Sequence, residues 1–109
     1  MQALVEDFLQ YLRHERGQAE HTQRTYAGLL GRFIAWAEKE KLTDWQQVGL
    51  PHLMSFLQHE RARTVAHEPK DSTRRLSGES VYLAIAALRA FYRFAENEKH
   101  LPTNVAEHL

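Results

Sequence analysis

Apolar residues recur at helical spacing along most of the chain and predict four main α-helices. The first is predicted over residues 2–15, where the apolar positions form one stripe: Leu4, Val5, Phe8, Leu9 and Leu12. Spacings of three and four residues are typical of one helix face and not of a strand. Gly17 follows a basic segment and predicts the end of this helix. We expect the stripe to pack into the core.

The second predicted helix has two contrasting faces. It is expected to begin after a capping residue at His21 or Thr22 and to run to about Lys41. A broad apolar face is formed by Tyr26, Leu29, Leu30, Phe33, Trp36 and Ala37. The opposite face is formed by Arg24, Gly28, Gly31 and Ala35. Because glycine in a helix costs about 1 kcal/mol relative to alanine, two glycines on one exposed face indicate that something large lies close against it.

Two further helices are predicted in the second half of the chain. The third begins near Leu50 and Pro51, because proline is tolerated in a first turn, and fades near residues 61–63. The residues expected to face one way there are Leu50, Leu53, Met54 and Leu57, with Phe56 beside them. The fourth is predicted over residues 78–97 after a cap at Ser77. Its expected core face is Val81, Ala84, Ile85, Leu88, Phe91, Tyr92 and Ala95.

Two further regions complete the prediction: the segment between the third and fourth helices, and the end of the chain. Residues 62–76 contain Pro69 and no sustained period, which predicts a long basic loop. Four tyrosines lie in or beside helical stripes and are expected to pack in the core or at its rim: Tyr11, Tyr26, Tyr82 and Tyr92. We therefore predict an all-α fold, a compact four-helix domain over residues 1–98. A connector beginning at residue 99 carries a short fifth turn at 103–108.

Composition excludes several classes of protein. A chain of 109 residues can bury a core without cross-links, and the absence of cysteine excludes a disulfide framework and thiolate chemistry. No apolar run is long enough for a membrane span and no signal peptide pattern is present, so we expect a cytoplasmic protein. The formal net charge of zero argues against nucleic-acid binding. However, residues 61–75 hold five basic and two acidic side chains, a local charge of +3.

The sequence contains no recognisable catalytic or metal-binding constellation. His14-Glu15 and His59-Glu60 open like a zinc-protease helix motif, but Gln18 and Arg63 occupy the position of the second ligand. Phosphate-binding and nucleophile-elbow glycine patterns are missing. Neighbouring helical carboxylates such as Glu6 and Asp7 do not face each other and cannot flank one bond. We expect no metal, no cofactor and no stand-alone enzyme.

The starts of the second and fourth helices carry side chains suited to DNA. Lysine, arginine, hydroxyl and amide groups near helix N-termini make most phosphate and base contacts. The second helix begins with Thr22, Gln23, Arg24 and Thr25, and the fourth is introduced by Arg74 and Arg75 and continues with Ser77, Glu79 and Ser80. The competing interpretation, about equally favoured by composition and spacing, is that Thr22 and Ser77 only cap helices and that the arginines are solvated.

Three segments, taken in order, resemble the start of Xer-type tyrosine recombinases and phage integrases. They are Glu15-Arg16-Gly17-x-x-x-x-Thr22-x-x-x-Tyr26; Leu76-Ser77-Gly78-x-Ser80-Val81 running into Leu88-Arg89-Ala90-Phe91-Tyr92-Arg93-Phe94; and Leu101-Pro102-Thr103-Asn104-Val105. The resemblance implies an N-terminal core-binding domain, a SAM-like orthogonal bundle. In that family the domain forms half of a C-shaped clamp around duplex DNA, with its second and fourth helices across the major groove side.

Matched position by position, the resemblance adds Thr22, Arg24 and Thr25 on the second helix, and Glu79, Ser80 and Leu83 on the fourth. The complete set of candidate DNA-binding residues is Thr22, Gln23, Arg24, Thr25, Gly28, Arg32, Arg74, Arg75, Ser77, Glu79, Ser80 and Leu83. Relatives often carry arginine or lysine where this chain has Glu79, Leu83 and Ala84. Either the fourth helix reads DNA weakly, or Arg74 and Arg75 supply the missing charge.

In that family the tyrosine nucleophile and the transition-state-stabilising arginines and histidines lie in a C-terminal catalytic domain. The resemblance thus implies a fragment of a tyrosine-type site-specific recombinase that does not itself catalyse strand exchange. We interpret His21-x-x-Arg24, which imitates a catalytic spacing, as coincidence. The implied partners are double-stranded DNA and other recombinase protomers, with the isolated fragment monomeric. The alternative is a helical protein–protein interaction module without DNA binding.

Overall fold

Four α-helices and one short 3-10 turn form the fold. The computed structural model describes residues 1–15, 17, 19–67 and 74–109, without the side chains of 63–67 and 74–80. The helices are α1 (Gln2–His14), α2 (Glu20–Lys39), α3 (Leu50–His67) and α4 (Arg74–Asn97), with the 3-10 turn at Trp45–Gln47. No strand occurs in these residues, so the predicted all-α, four-helix, SAM-like class is confirmed.

Helix α2 begins two or three residues earlier than predicted. Ala19, in extended backbone, precedes Glu20, and the Gln23 N–H donates to the Ala19 carbonyl oxygen at 3.1 Å. The prediction of a cap at His21 or Thr22 is therefore wrong, since both lie within the first turn. Glu20 favours this earlier start because a carboxylate near a helix N-terminus interacts well with the free backbone N–H groups.

Lysines in the left-handed conformation follow both long helices that carry the predicted DNA contacts. Lys41 after α2 and Lys99 after α4 have φ angles of 63° and 62°. After α2, the N–H of Leu42 donates to the carbonyl oxygen of Ala37 at 2.8 Å and that of Lys41 to Glu38 at 3.0 Å. This is a Schellman ending, which satisfies the last carbonyl groups of the helix. It places the end of α2 at Lys39, two residues before the predicted end.

The predicted loop at 62–76 is wrong at both of its ends. Helix α3 continues to His67 and α4 already begins at Arg74, so Ser77 lies inside a helix and is not its cap. These ends are rich in arginine and alanine, good helix formers that carry no amphipathic period. The rest of the predicted loop, residues 68–73, lies outside the described residues.

Helix α3 turns a different stripe to the core than its apolar residues predict. Leu53, Phe56 and Leu57 are buried, but Leu50 is 36% and Met54 50% exposed, so the prediction that these two face the same way as Leu53 and Leu57 is wrong. The fourth member of the buried stripe is Glu60, which is 2% exposed. Its spacing of three, four and seven residues from the buried apolar side chains fits one helix face. A charged residue thus occupies a position that hydrophobicity alone assigns to solvent.

The segment after α2 enters the core although it has no helical period. Asp44 caps the 3-10 turn by accepting from the Gln46 N–H at 2.9 Å. The turn directs the ring of Trp45 between α2 and α4, where it stacks on Phe33 at 5.4 Å and meets Phe91 at 4.5 Å. The Trp45 Nε1–H donates to the carbonyl oxygen of Met1 at 2.9 Å, so the buried indole keeps a hydrogen bond.

Residues after α4 pack against the domain. Leu101 and Ala106 are buried in the same core, with Val105 and Leu109 against its edge. The predicted short fifth turn at 103–108 is a pair of hydrogen-bonded turns and not a helix. The side chain of Asn104 stabilises them by accepting from the Ala106 N–H at 3.0 Å. The segment predicted to begin a connector therefore contributes apolar side chains to the domain.

Candidate nucleic-acid interface

The face of α2 opposite the core is exposed over its whole length. Arg24, Gly28, Gly31 and Ala35 are all exposed, as predicted, and we call these four residues the glycine face. A β-carbon added at Gly31 would meet nothing within 4 Å, and one at Gly28 would meet only Nη1 of Arg32, at 3.9 Å. Neither glycine has a positive φ. Within the described residues, therefore, nothing in packing or backbone conformation requires glycine at either position.

The first turns of α2 place the predicted polar side chains beside this face. Arg24 is exposed, whereas Thr22, Gln23 and Thr25 are half-buried. The Oε1 atom of Gln23 accepts from Nε of Arg13 at 3.4 Å, which ties the start of α2 to the end of α1. Arg24 makes no ion pair with any described residue. Its charge is available to an external anion.

Arg32 lies at the border of the glycine face and pairs with the buried carboxylate of α3. Its Nε–H donates to Oε1 of Glu60 at 2.8 Å, and the two side chains are 40% and 2% exposed. The second carboxylate oxygen lies 4.0 Å from Nδ1 of His59. A carboxylate removed from water is tolerated only when paired and hydrogen-bonded. Sequence analysis missed Glu60, and its register with Leu53, Phe56 and Leu57 was the available signal.

Five predicted residues fall in the first two turns of α4. They are Arg74, Arg75, Ser77, Glu79 and Ser80. The structure describes their helical backbone and not their side chains, so their predicted contacts with DNA stay predictions. Leu83, one turn further on, is 40% exposed, a position from which it can contact a partner.

The exposed face of α4 also carries residues that sequence analysis did not select. Tyr82 is 70% exposed, so its expected place in the core or at its rim is wrong. It lines a shallow depression together with Ala86, Arg89 and Arg93. The two arginines are exposed, and neither forms an ion pair within the described part of the chain. The spacing of four, seven and eleven residues from Tyr82 was the signal for one helix face.

A cavity of about 370 Å³ connects this α4 face to the start of α2. Its walls include Tyr11, Tyr26 and Phe94, and it shares Ala90 and Arg93 with the depression beside Tyr82. Phe8 lies beneath, with its ring stacked on Tyr26 at 6.3 Å. The N-terminal half of α2 and the exposed face of α4 therefore lie next to each other in the fold.

The described residues offer no evident centre for covalent or metal chemistry. No group of three or more histidine, aspartate or glutamate side chains within them could hold a metal ion. Tyr92 is enclosed in the core, where burial raises the pKa of its hydroxyl group above the ordinary value. Such a phenol is protonated and shielded, which is unsuited to nucleophilic attack. What the described surface does offer is unpaired arginine beside small residues.

Comparison with known proteins agrees with this architecture. The chain is 29% identical over 109 residues to the tyrosine recombinase XerC of Xylella fastidiosa (strain M23), covering 100% of this chain and 33% of that protein. It is 31% identical over 97 residues to XerC of Anoxybacillus flavithermus, and 35% over 99 residues to XerD of Lacticaseibacillus casei. These cover 89% and 90% of this chain and 29% of each relative. The chain thus spans about a third of the length of the curated relatives it matches.

The family assignment covers nearly the whole fold. No solved structure matches the chain significantly. Within the described residues, no helix is both long enough and apolar enough to cross a bilayer. Residues 5–99, from the first turn of α1 to the end of α4, match the family described as phage integrase, N-terminal SAM-like domain. The chain belongs to that family.

Proposed function

We propose that this chain is the DNA-binding N-terminal domain of a site-specific tyrosine recombinase and clamps duplex DNA during integration or recombination. The single observation that carries the proposal is the bare glycine face of α2, which nothing in the described structure uses. Because the chain matches only about a third of the length of such recombinases, we infer that strand exchange belongs to other parts of such a protein. Its partners are then double-stranded DNA and neighbouring protomers, in the cytoplasm.

Small residues and one unpaired arginine make the glycine face suitable for a phosphate backbone. Gly28, Gly31 and Ala35 leave the helix backbone accessible, so a large polyanion can approach closely. Arg24 supplies positive charge at the end of this face, and most DNA affinity comes from such phosphate contacts. Thr22, Gln23 and Thr25 would add hydrogen bonds from the first turns of α2.

The fourth helix would supply a second set of contacts. We assign Arg74, Arg75, Ser77, Glu79, Ser80 and Leu83 to it, as the resemblance to recombinases implies. Glu79 is the residue least suited to a phosphate, although a carboxylate can accept from the amino group of cytosine. Arg89 and Arg93 add positive charge further along the exposed face of α4. These two arginines give the exposed face of α4 a local positive charge, although the net charge of the whole chain is zero.

A protein-binding role is the second candidate, and one observation favours it. Tyr82 and Leu83 are large hydrophobic side chains exposed next to each other on α4. Exposed aromatic and apolar pairs of this kind are common where proteins associate. In a recombinase assembly, where protomers meet on DNA, the two functions are compatible.

A salt-titrated binding assay with a labelled duplex tests the proposal. For an isolated half-clamp we expect weak binding, micromolar or weaker, that falls steeply with salt because bound cations are released from DNA. Arg24→Ala should weaken binding by at least about tenfold, since hydrogen bonds to charged groups contribute about 1.5–3 kcal/mol. Helicity should not change. The matched control is Lys99→Ala, which removes one exposed positive charge after α4 and should leave affinity nearly unchanged.

The outcomes of that assay separate the two candidates. A binding constant that does not respond to salt, or no binding at low salt, favours the protein-interaction module. Equal affinity for Arg24→Ala and the parent chain removes Arg24 from the interface.

A further inference from the structure

We propose that Glu60 is a positioning residue for DNA binding: its buried carboxylate holds Arg32 so that the outer nitrogens of the guanidinium meet a phosphate at the glycine face. The proposal rests on the proposed function and names a residue of α3 that does not itself touch DNA. It also explains why a charged residue occupies the core stripe of α3.

The geometry divides the guanidinium of Arg32 into an inner and an outer part. Nε is engaged, since its hydrogen bond to Glu60 is 2.8 Å long. Nη1 lies toward Gly28, where an added β-carbon would be 3.9 Å away. The Nη atoms have no acceptor among the described residues, and the side chain is 40% exposed. An arginine held by Nε with free Nη groups is oriented for an oxygen of a phosphate.

Stability alone is a poor reason for this pair. Taking a carboxylate out of water is costly, and replacing a buried ion pair by apolar residues is often neutral or stabilising. Leu53, Phe56 and Leu57 show that the same stripe of α3 holds apolar side chains. A buried anchor does, however, restrict a long side chain before the ligand arrives. Less conformational freedom is then lost on binding.

Simple electrostatics and positioning predict opposite effects for Glu60→Gln. The substitution removes a negative charge near a bound polyanion, so electrostatics alone predicts tighter binding. If Glu60 positions Arg32, the neutral amide oxygen of glutamine accepts a weaker hydrogen bond from Nε, so the guanidinium is held less firmly and binding weakens. We expect affinity for a duplex at low salt to fall about three- to tenfold, within the range for the net contribution of one ordinary hydrogen bond. Unchanged or increased affinity of a folded Glu60→Gln chain overturns the proposal.

Two further variants keep the proposal testable if Glu60→Gln fails to fold. Arg32→Lys keeps the positive charge and can still neutralise Glu60. The ammonium group of lysine lacks the planar, forked donors of arginine, so it cannot bind Glu60 on one side and a phosphate on the other in a fixed geometry. We expect it to keep the fold and to weaken duplex binding about as much as Glu60→Gln. Affinity equal to the parent overturns the proposal. In an Arg32→Gln background, Glu60→Gln should no longer weaken binding, because Glu60 acts through Arg32.

Arg24→Ala separates failure of this inference from failure of the proposed function. If the parent chain binds no duplex, or binds without salt dependence, the proposed function fails and this inference fails with it. If Arg24→Ala weakens binding while Glu60→Gln and Arg32→Lys do not, only the positioning role is overturned.

Discussion

The indole ring of Trp45 lies 4.5 Å from the ring of Phe91 on α4 and 5.4 Å from that of Phe33 on α2. One side chain from a short 3-10 turn therefore contacts both of the helices to which we assign DNA binding. Aromatic contacts of this kind add to the burial of a large apolar surface. Trp45 thus joins α2 and α4 within the core, and we expect its loss to be felt first in stability.

Trp45→Ala should strongly destabilise the fold. Truncating a buried aromatic residue costs about 3–5 kcal/mol because it leaves a cavity, and the hydrogen bond from Nε1 to Met1 is also lost. Urea unfolding followed by circular dichroism measures the change. The exposed neighbour Gln46 provides the control, and Gln46→Ala should stay within about 0.5 kcal/mol of the parent. A loss below about 1 kcal/mol for Trp45→Ala would mean that the ring is not enclosed as described.

Tyr92 should make stability depend on pH at the alkaline end. Burial raises the pKa of its hydroxyl group, and this oxygen has no hydrogen-bond partner within the described residues. An unfolded tyrosine loses its proton near about pH 10, while the folded one keeps it to higher pH. Its contribution to stability is therefore intact below about pH 10 and is lost as the pH rises further.

Tyr92→Phe provides the measurement for that prediction. At neutral pH the variant should be as stable as the parent, or more stable by up to about 1 kcal/mol, because an unpartnered buried hydroxyl group is removed. Above pH 10 the stability difference should grow in favour of the variant. Unfolding curves of both proteins at several pH values test this. Parallel pH profiles would mean that the hydroxyl group is not shielded from water, and a loss of stability at neutral pH would mean that it has a hydrogen-bond partner.

Gly31→Ala should stabilise the domain while impairing DNA binding. The added methyl group meets nothing within 4 Å, and alanine is favoured over glycine in a helix by about 0.5–1 kcal/mol. The same methyl group would stand between α2 and a closely approaching duplex. Thermal unfolding and duplex titration report the two effects separately. For comparison, Gly17→Ala should destabilise, because Gly17 has a φ of 60°. A destabilised Gly31→Ala chain would mean that this side of α2 is packed.

The helical spacing of apolar residues correctly predicted those helices whose apolar and polar residues lie on separate faces. The stripe of α1 and the two faces of α2 are regular, so their burial and the exposure of the glycine face could be inferred directly. The same rule counted Tyr82 with the apolar residues, although it lies on the exposed face of α4. A tyrosine side chain is found both in cores and on surfaces, and only its register with Arg89 and Arg93 indicates that Tyr82 lies on the surface.

Other features depend on contacts between distant residues. Glu60 is buried and pairs with Arg32, 28 positions away, and neither residue reveals the pair by itself. Trp45 lies in a segment without a period and is drawn into the core by its aromatic partners on α2 and α4. The end of α3 after residue 61 and the start of α4 at residue 74 are rich in arginine and alanine but have no apolar face, so amphipathicity does not reveal them.

The affinity of Gly28→Glu for a duplex tests the role of the glycine face most directly. Exposure of Gly28 predicts that the variant folds, and a carboxylate facing phosphates should weaken binding by at least about tenfold, since like charges in an interface cost several kcal/mol. The control is Ala3→Glu, which adds the same charge to an exposed position of α1 and should change affinity far less. We predict matching unfolding midpoints and a large difference in affinity. Equal affinity of the two variants, or an unfolded Gly28→Glu chain, would contradict binding of DNA at this face.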